Sequence, residues 1–192
     1  MKWKNGHGTS AEIAIYPRDA AFAVDPFLWR LSSAHMSEGS SFSLFPGYQR
    51  HLALVKGEGL RLKIDQNIED VLLLKGQFCE FSGEQEVASE LVTGPVSDLN
   101  LIVKRDHVQA RFDVMRFSKK PRSIQIEGKC AFIFGISGKV KASVYPGEHQ
   151  FQIDEGETLQ IQENPGSEER QLALLEPASP DCALCLVELD WI

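Results

Sequence analysis

Alternation with a period of two runs through this chain, and it constrains the fold more than any other feature. Val108-Gln109-Ala110-Arg111-Phe112-Asp113-Val114 alternates apolar and polar residues, as do Leu60-Arg61-Leu62-Lys63-Ile64, Phe151-Gln152-Ile153-Asp154 and Leu159-Gln160-Ile161-Gln162. Successive side chains of a strand point to opposite faces, so this pattern predicts strands with one buried face. Continuous apolar runs at Val71–Leu74, Ala131–Phe134 and Ala183–Val187 predict strands covered on both faces. Turn signals cut the runs at short intervals: Gly57-Glu58-Gly59, Lys75-Gly76, Ser82-Gly83, Gly94-Pro95, Ser137-Gly138, Pro146-Gly147, Glu155-Gly156 and Asn164-Pro165-Gly166. Short strands with frequent Gly and Pro punctuation predict an all-β sandwich or barrel. The stretch most compatible with a helix is Gly83–Leu91. The most loop-like stretches are Asp65–Asp70 and Lys119–Gly128.

The two halves resemble each other. Val55-Lys56-Gly57-Glu58-Gly59 leads into one alternating strand, and Phe134-Gly135-Ile136-Ser137-Gly138 leads into another. Gly59 and Gly138, and likewise Gly76 and Gly156, lie roughly 80 residues apart, which predicts an internal duplication. Glycine, strand, turn, strand and a second glycine is also how cupin barrels look in sequence. The expected architecture is two cupin-like antiparallel β-barrels, residues 1–118 and 119–192, with closing strands open to exchange between the halves.

Charge and cysteine usage narrow the setting. The net charge is −7, which argues against non-specific nucleic-acid binding. No apolar run reaches the roughly 18–20 residues of a membrane helix, and Met1–Gly8 lacks the apolar core of a signal peptide. Cys79, Cys130, Cys182 and Cys185 are too few for a disulfide scaffold, so a reducing cytoplasm is expected. Cys182-Ala183-Leu184-Cys185 sits in an apolar strand-like run and reads as buried cysteines, not as a redox or zinc motif. A metal-dependent cupin needs His-x-His with a downstream Glu and His. None of His7, His35, His51, His107 and His149 forms such a pair, so neither a metal nor any other cofactor is expected. There is no G-x-S-x-G elbow, P-loop or H-E-x-x-H.

Three segments in order resemble the HutD/Ves family of bicupins. Trp3-Lys4-Asn5-Gly6-His7-Gly8-Thr9-Ser10-Ala11-Glu12-Ile13 is similar to W-K-N-G-G-G-x-T-x-E-I. Trp29-Arg30-Leu31-Ser32 and Phe42-Ser43-Leu44-Phe45-Pro46-Gly47-Tyr48-Gln49-Arg50 are similar to W-R-x-S and F-S-x-F-P-G-x-x-R. Gly94-Pro95-Val96-Ser97-Asp98-Leu99-Asn100 with Arg105 is similar to G-P-x-x-D-x-N. His7 replaces a family glycine and Ser10 a family threonine. The resemblance implies a small-ligand or regulatory role in histidine utilisation, with an acidic metabolite such as a formylated glutamate as partner.

Arg50 is the favoured ligand contact, because a guanidinium fixed at a barrel mouth can hold a carboxylate through two parallel hydrogen bonds. Asn5, Ser10 and Glu12 come from the first segment. Asp98 and Asn100, two apart, would share one strand face. Trp29 could stack on a ligand. Arg30 has two candidate partners, Asp98 and Glu12. Two other readings stay open. One is a metal-free enzyme on a small acidic metabolite, with Glu12 as its base. The other is an interaction protein without a small-molecule site, whose C-terminal strand ending Asp190-Trp191-Ile192 offers an edge for a homodimer.

Overall fold

The computed structural model describes residues 8–22, 24–65, 70–147, 149–163 and 169–191, and every regular element among them is a strand. The chain divides into two compact units, Met1–Val108 and Gln109–Ile192. The first holds β1 (Gly8–Tyr16), β2 (Trp29–Met36), β3 (Tyr48–Lys56), β4 (Leu60–Ile64), β5 (Val71–Leu73), β6 (Phe78–Ser82), β7 (Val87–Leu91) and β8 (Val96–Lys104). The second is built from β9 (Val108–Phe117), β10 (Arg122–Gln125), β11 (Cys130–Ser137), β12 (Val140–Tyr145), β13 (His149–Ile153), β14 (Thr158–Gln162), β15 (Leu172–Pro177) and β16 (Cys182–Trp191). No helix among the described residues is long and apolar enough to cross a membrane.

Each unit is built from two antiparallel sheets. In the first, the order β1-β2-β8-β3-β6 faces the order β5-β4-β7. Met36, Leu52 and Leu54 from the larger sheet meet Leu60, Leu62 and Leu73 from the smaller. The predicted alternation is visible directly in β4, where Leu60, Leu62 and Ile64 are buried while Arg61 and Lys63 are not. In the second unit the orders are β14-β11-β16-β9 and β10-β15-β12-β13. Its core sets Ile133, Leu184 and Leu186 against Val140, Ala142 and Leu175, and beyond Leu186 on the same face of β16 the buried Glu188 accepts from Arg111 Nη1 at 3.1 Å. β9 pairs within this unit's sheet, although the sequence reading placed the whole strand in the first half.

Two local expectations are corrected. Gly83–Leu91 is not helical: it is a turn followed by β7. Val87 and Ser89 are buried while Ala88 and Glu90 are not, the signature of a strand. Lys119–Gly128 is not all loop, because Arg122–Gln125 forms β10 against β15.

The duplication holds down to single hydrogen bonds. Leaving β1 and β10 aside, β2-β8-β3-β6 matches β9-β16-β11-β14, and β7-β4-β5 matches β15-β12-β13. The register slips at Leu54/Lys56 in β3 and at Gly135/Ser137 in β11. The Gly76 amide donates to Leu54 O at 2.7 Å, and the Gly156 amide to Gly135 O at 2.8 Å. Leu54 N donates to Gln77 O at 3.0 Å, and Gly135 N to Glu157 O at 2.9 Å. Even the turn side chains repeat: Gln77 Oε1 accepts from Leu74 N, and Glu157 Oε2 from Asp154 N, both at 2.9 Å. The partner of Gly138 (φ 72°) is Gly57 (φ 105°), not Gly59 as the sequence spacing suggested. Both directly follow a bulged strand, where the chain must enter the left-handed region that glycine tolerates.

Candidate functional site

Strand register alone assembles a polar wall inside the first unit. Residues directly opposite one another in neighbouring strands share a face. One row of the larger sheet reads Ile15, Arg30, Ile102, Arg50, Phe81. The next reads Glu12, Ser32, Asn100, Leu52, Cys79, and the third contains Ser10, Ala34, Asp98 and Leu54. The same side carries Met36, Leu52 and Leu54 of the core, so the wall faces the barrel interior. It forms a polar band between that core and a second apolar cluster of Ile15, Phe27 and Ile102, with Phe22, Phe45 and Tyr48 packed on it.

Arg50 lies at the heart of the band and is only 5% exposed. Its guanidinium carbon sits 5.0 Å from the Phe42 and Phe81 ring centroids and 5.6 Å from that of Phe45. The rings attract the cation through their quadrupoles and keep water away. Nη1 donates to Ser43 O at 3.3 Å, while the buried Nε has no hydrogen-bond partner among the described residues. Burial lowers the Arg50 pKa to about 10, partly offset by the charge of Asp98, so it remains a cation at neutral pH.

Arg30 is equally buried, and its partner is Glu12: Nε donates to Glu12 Oε2 at 2.8 Å. Nη1 donates to Ser32 Oγ at 2.9 Å, and the guanidinium lies 3.9 Å from the Phe22 ring centroid. Asp98 is 3% exposed and accepts from the Ala34 amide at 3.1 Å. Burial pushes its carboxyl up to about 7, against the Ala34 hydrogen bond and the Arg50 charge, which both pull it down. Asn100 Oδ1 is buried and has no donor among the described residues. Cys79, beside Leu52, is held as a thiol, its pKa pushed up to about 12 chiefly by burial.

The Phe-Pro-Gly turn is clamped from outside. Gly47 N donates to Glu84 Oε1 at 2.7 Å, and Arg105 Nη2 donates to both Glu84 oxygens at 2.7 and 2.6 Å. The Gly47 amide, the Ser82 hydroxyl and Arg105 together lower the Glu84 pKa to about 2. Arg105 N also donates to Gly47 O at 3.0 Å. This clamp fixes Phe45 over Arg50 and gives Arg105 a positioning role.

Of the residues nominated from sequence, Arg50, Ser10, Glu12, Asp98 and Asn100 share this wall. Trp29 does not. It is one residue out of phase with Arg30, and its ring stacks on Tyr16 on the other side, with centroids 6.0 Å apart at 13°. Asn5 and His7 lie outside the described residues. Sequence reasoning missed Ser32, Phe22, Phe42 and Phe81 as site residues. Alternation in Trp29-Arg30-Leu31-Ser32 was the signal that could have paired Ser32 with Arg30.

Among the described residues no three His, Cys, Asp or Glu side chains converge to hold a metal. The wall presents two guanidiniums, which repel a cation, so its residues do not fit the metal that some cupin barrels carry. Cys182 belongs to the apolar core of the second unit, and Cys185 is fully buried.

The HutD family model matches residues 1–178. The chain belongs to the HutD family. An uncharacterized 21.2 kDa protein in the hutC 3' region of Pseudomonas putida is 35% identical to this HutD-family chain over 150 residues, 78% of this chain and 75% of that one. Protein Ves of Citrobacter koseri is 34% identical over 113 residues, 58% of this chain and 56% of that protein. Among solved structures, a conserved protein of unknown function from Pseudomonas aeruginosa PAO1 superposes with a TM-score of 0.85 at 32% identity, covering 99% of this chain and 93% of that one. HutD from Pseudomonas fluorescens SBW25 does so with a TM-score of 0.78 at 30% identity, covering 100% and 93%. A Cupin 2 conserved barrel domain protein from Leptotrichia buccalis shares the fold, with a TM-score of 0.63 at 14% identity over 99% of this chain and 92% of that one.

The Asp98 carboxyl has a consequence for stability. Its folded value, about 7, lies above the ordinary 3.8. A carboxyl raised in this way keeps its proton longer in the folded state than in the unfolded one. Its contribution is complete below about pH 4 and is lost as pH rises to about 7. Asp98→Asn keeps an acceptor for the Ala34 amide and removes the titration. The variant is expected to gain about 3 kcal/mol relative to the wild type between pH 5 and pH 8, measured by urea unfolding at both. Parallel pH profiles would refute the assignment.

Proposed function

We propose that this chain is a metal-free bicupin that binds a small acidic metabolite on the inner wall of its first barrel. The further proposal is a regulatory, cytoplasmic role in histidine utilisation. The observation that carries the reading is Arg50, a buried cation whose Nε has no partner among the described residues. An unmet hydrogen bond on a buried charged group is costly unless a ligand completes it. Asn100 Oδ1 is the complementary unmet acceptor on the same face. The preferred ligand therefore carries a carboxylate and, at a distance, an N–H or O–H donor. An N-acylated amino diacid such as a formylated glutamate has both.

The second unit supports this by contrast. In the repeat, Arg50 corresponds to Ala131, Asp98 to Leu184 and Asn100 to Leu186. At these three positions the same scaffold is filled by apolar side chains, so Arg50, Asp98 and Asn100 are not a requirement of the fold. The name of the P. putida relative, which places it beside hutC, supports the link to histidine utilisation.

The test is a thermal-shift and calorimetric titration of chelator-treated protein with N-formylglutamate, glutarate, glutamate and divalent metals. A ligand that binds only the folded state raises the melting temperature with concentration. Saturable stabilisation by the acids is expected. Stabilisation by metals alone, or by none of the compounds at millimolar concentration, would overturn the reading. A metal-free enzyme would instead reveal itself by loss of the acid during the titration.

A further inference from the structure

With Asp98 ionised, the charges on the wall are balanced before any ligand arrives, and this sets a condition on binding. Facing Asp98 are Glu12 and Ser10 from β1, Arg30 and Ser32 from β2, Arg50 from β3 and Cys79 from β6. The facing sheet adds no titratable group, because β4, β5 and β7 turn Leu60, Leu62, Leu73 and Val87 toward this core. Glu12 is committed to Arg30 at 2.8 Å. Asp98 is then the remaining counter-charge for Arg50, yet among the described residues no carboxylate lies within ion-pair distance of that guanidinium. The pair acts through space, inside a barrel where each is almost fully buried. A ligand carboxylate on Arg50 would leave the interior with one excess negative charge in a medium of low polarity, which is strongly unfavourable.

We propose that binding is proton-coupled: a ligand carboxylate replaces Asp98 as the counter-ion of Arg50, and Asp98 takes a proton from solvent to become a neutral acid. The inference rests on the reading of the wall as an anion site. It makes Asp98 the residue that decides how much negative charge the barrel accepts. The hydrogen bond from Ala34 reaches only Oδ1, and a neutral carboxyl can still accept it. The free carboxyl already titrates at about 7, so the proton is available close to neutrality, and a bound anion raises that value further.

The sign follows from linkage. Affinity is greatest where Asp98 is already protonated and falls, by up to about tenfold per pH unit, above about pH 7. Arg50, at about 10, does not titrate in this range. Glutarate, doubly ionised throughout, is the probe. Calorimetric titrations of the whole chain at pH 8, in buffers of different ionisation enthalpy, should show uptake of close to one proton per glutarate bound. Affinity should weaken by roughly tenfold or more from pH 6.5 to pH 8.5. Asp98→Asn should still bind glutarate, with no proton uptake and a flat pH profile. Binding by the wild-type chain with no proton uptake would overturn the coupling and leave the anion site standing. Uptake that persists in Asp98→Asn would overturn the assignment to Asp98. Failure of glutarate and N-formylglutamate to bind at any pH would overturn the anion site itself.

Discussion

Exchanging Arg50 for methionine is expected to weaken binding of N-formylglutamate or glutarate by at least about a hundredfold, with no loss of thermal stability below about pH 7, where Asp98 is held as a neutral acid. Hydrogen bonds to charged groups contribute roughly 1.5–3 kcal/mol each, and a carboxylate on this guanidinium would lose two. Stability should hold for a separate reason. Arg50 is 5% exposed and lies among Phe42, Phe45 and Phe81. Methionine fills a similar channel, and its sulfur packs well against aromatic rings. The substitution also removes the desolvation cost that depresses the arginine pKa. Calorimetry with parallel melting curves checks both halves. Unchanged affinity in a folded Arg50→Met protein would remove Arg50 from the site.

Gly83→Ala is expected to destabilise the chain by about 3 kcal/mol and to loosen ligand binding with it. A Cβ at this position would fall far inside contact distance of the Phe45 carbonyl oxygen and 2.9 Å from Tyr48 O. Those obstacles are backbone and cannot rotate away. The Gly83 amide donates to Tyr48 O at 2.8 Å, and the Phe45 amide donates to Gly83 O at 2.7 Å. Separating these strands therefore moves Phe45, one of the rings around Arg50. Urea unfolding gives the first effect and glutarate titration the second. A variant with wild-type stability would show that the turn has slack that the structure does not display.

The strands and the repeat were legible because they depend on local patterning. Period-two alternation locates β4 to the residue, and the recurring glycines mark the same bulge in both halves. Within the wall, Asp98 and Asn100 were recognisable as a same-face pair because both lie on one strand. What crosses strands was less visible. The partner of Arg30 is decided by the pairing of β1 with β2, including a register shift between Glu12 and Ala14 that no alternation rule anticipates. Trp29 departs from the wall for the mirror of that reason: its neighbour Arg30 faces the barrel interior, so Trp29 lies on the opposite face of the sheet, where it is buried. The rings around Arg50 come from a loop and a distant strand, Phe42 and Phe45 on one hand and Phe81 on the other. Only the folded geometry brings these to one guanidinium.

The repeated framework also supplies a natural baseline. Wherever the two halves share a strand position but differ in chemistry, as Arg50 and Ala131 do, the proposed anion site reads the difference as what recognition adds to a shape that folds without it. Substitutions exchanged between such positions would separate residues kept for architecture from residues kept for choice of ligand. They would also indicate where relatives are free to change what they recognise while retaining the same lattice of strands.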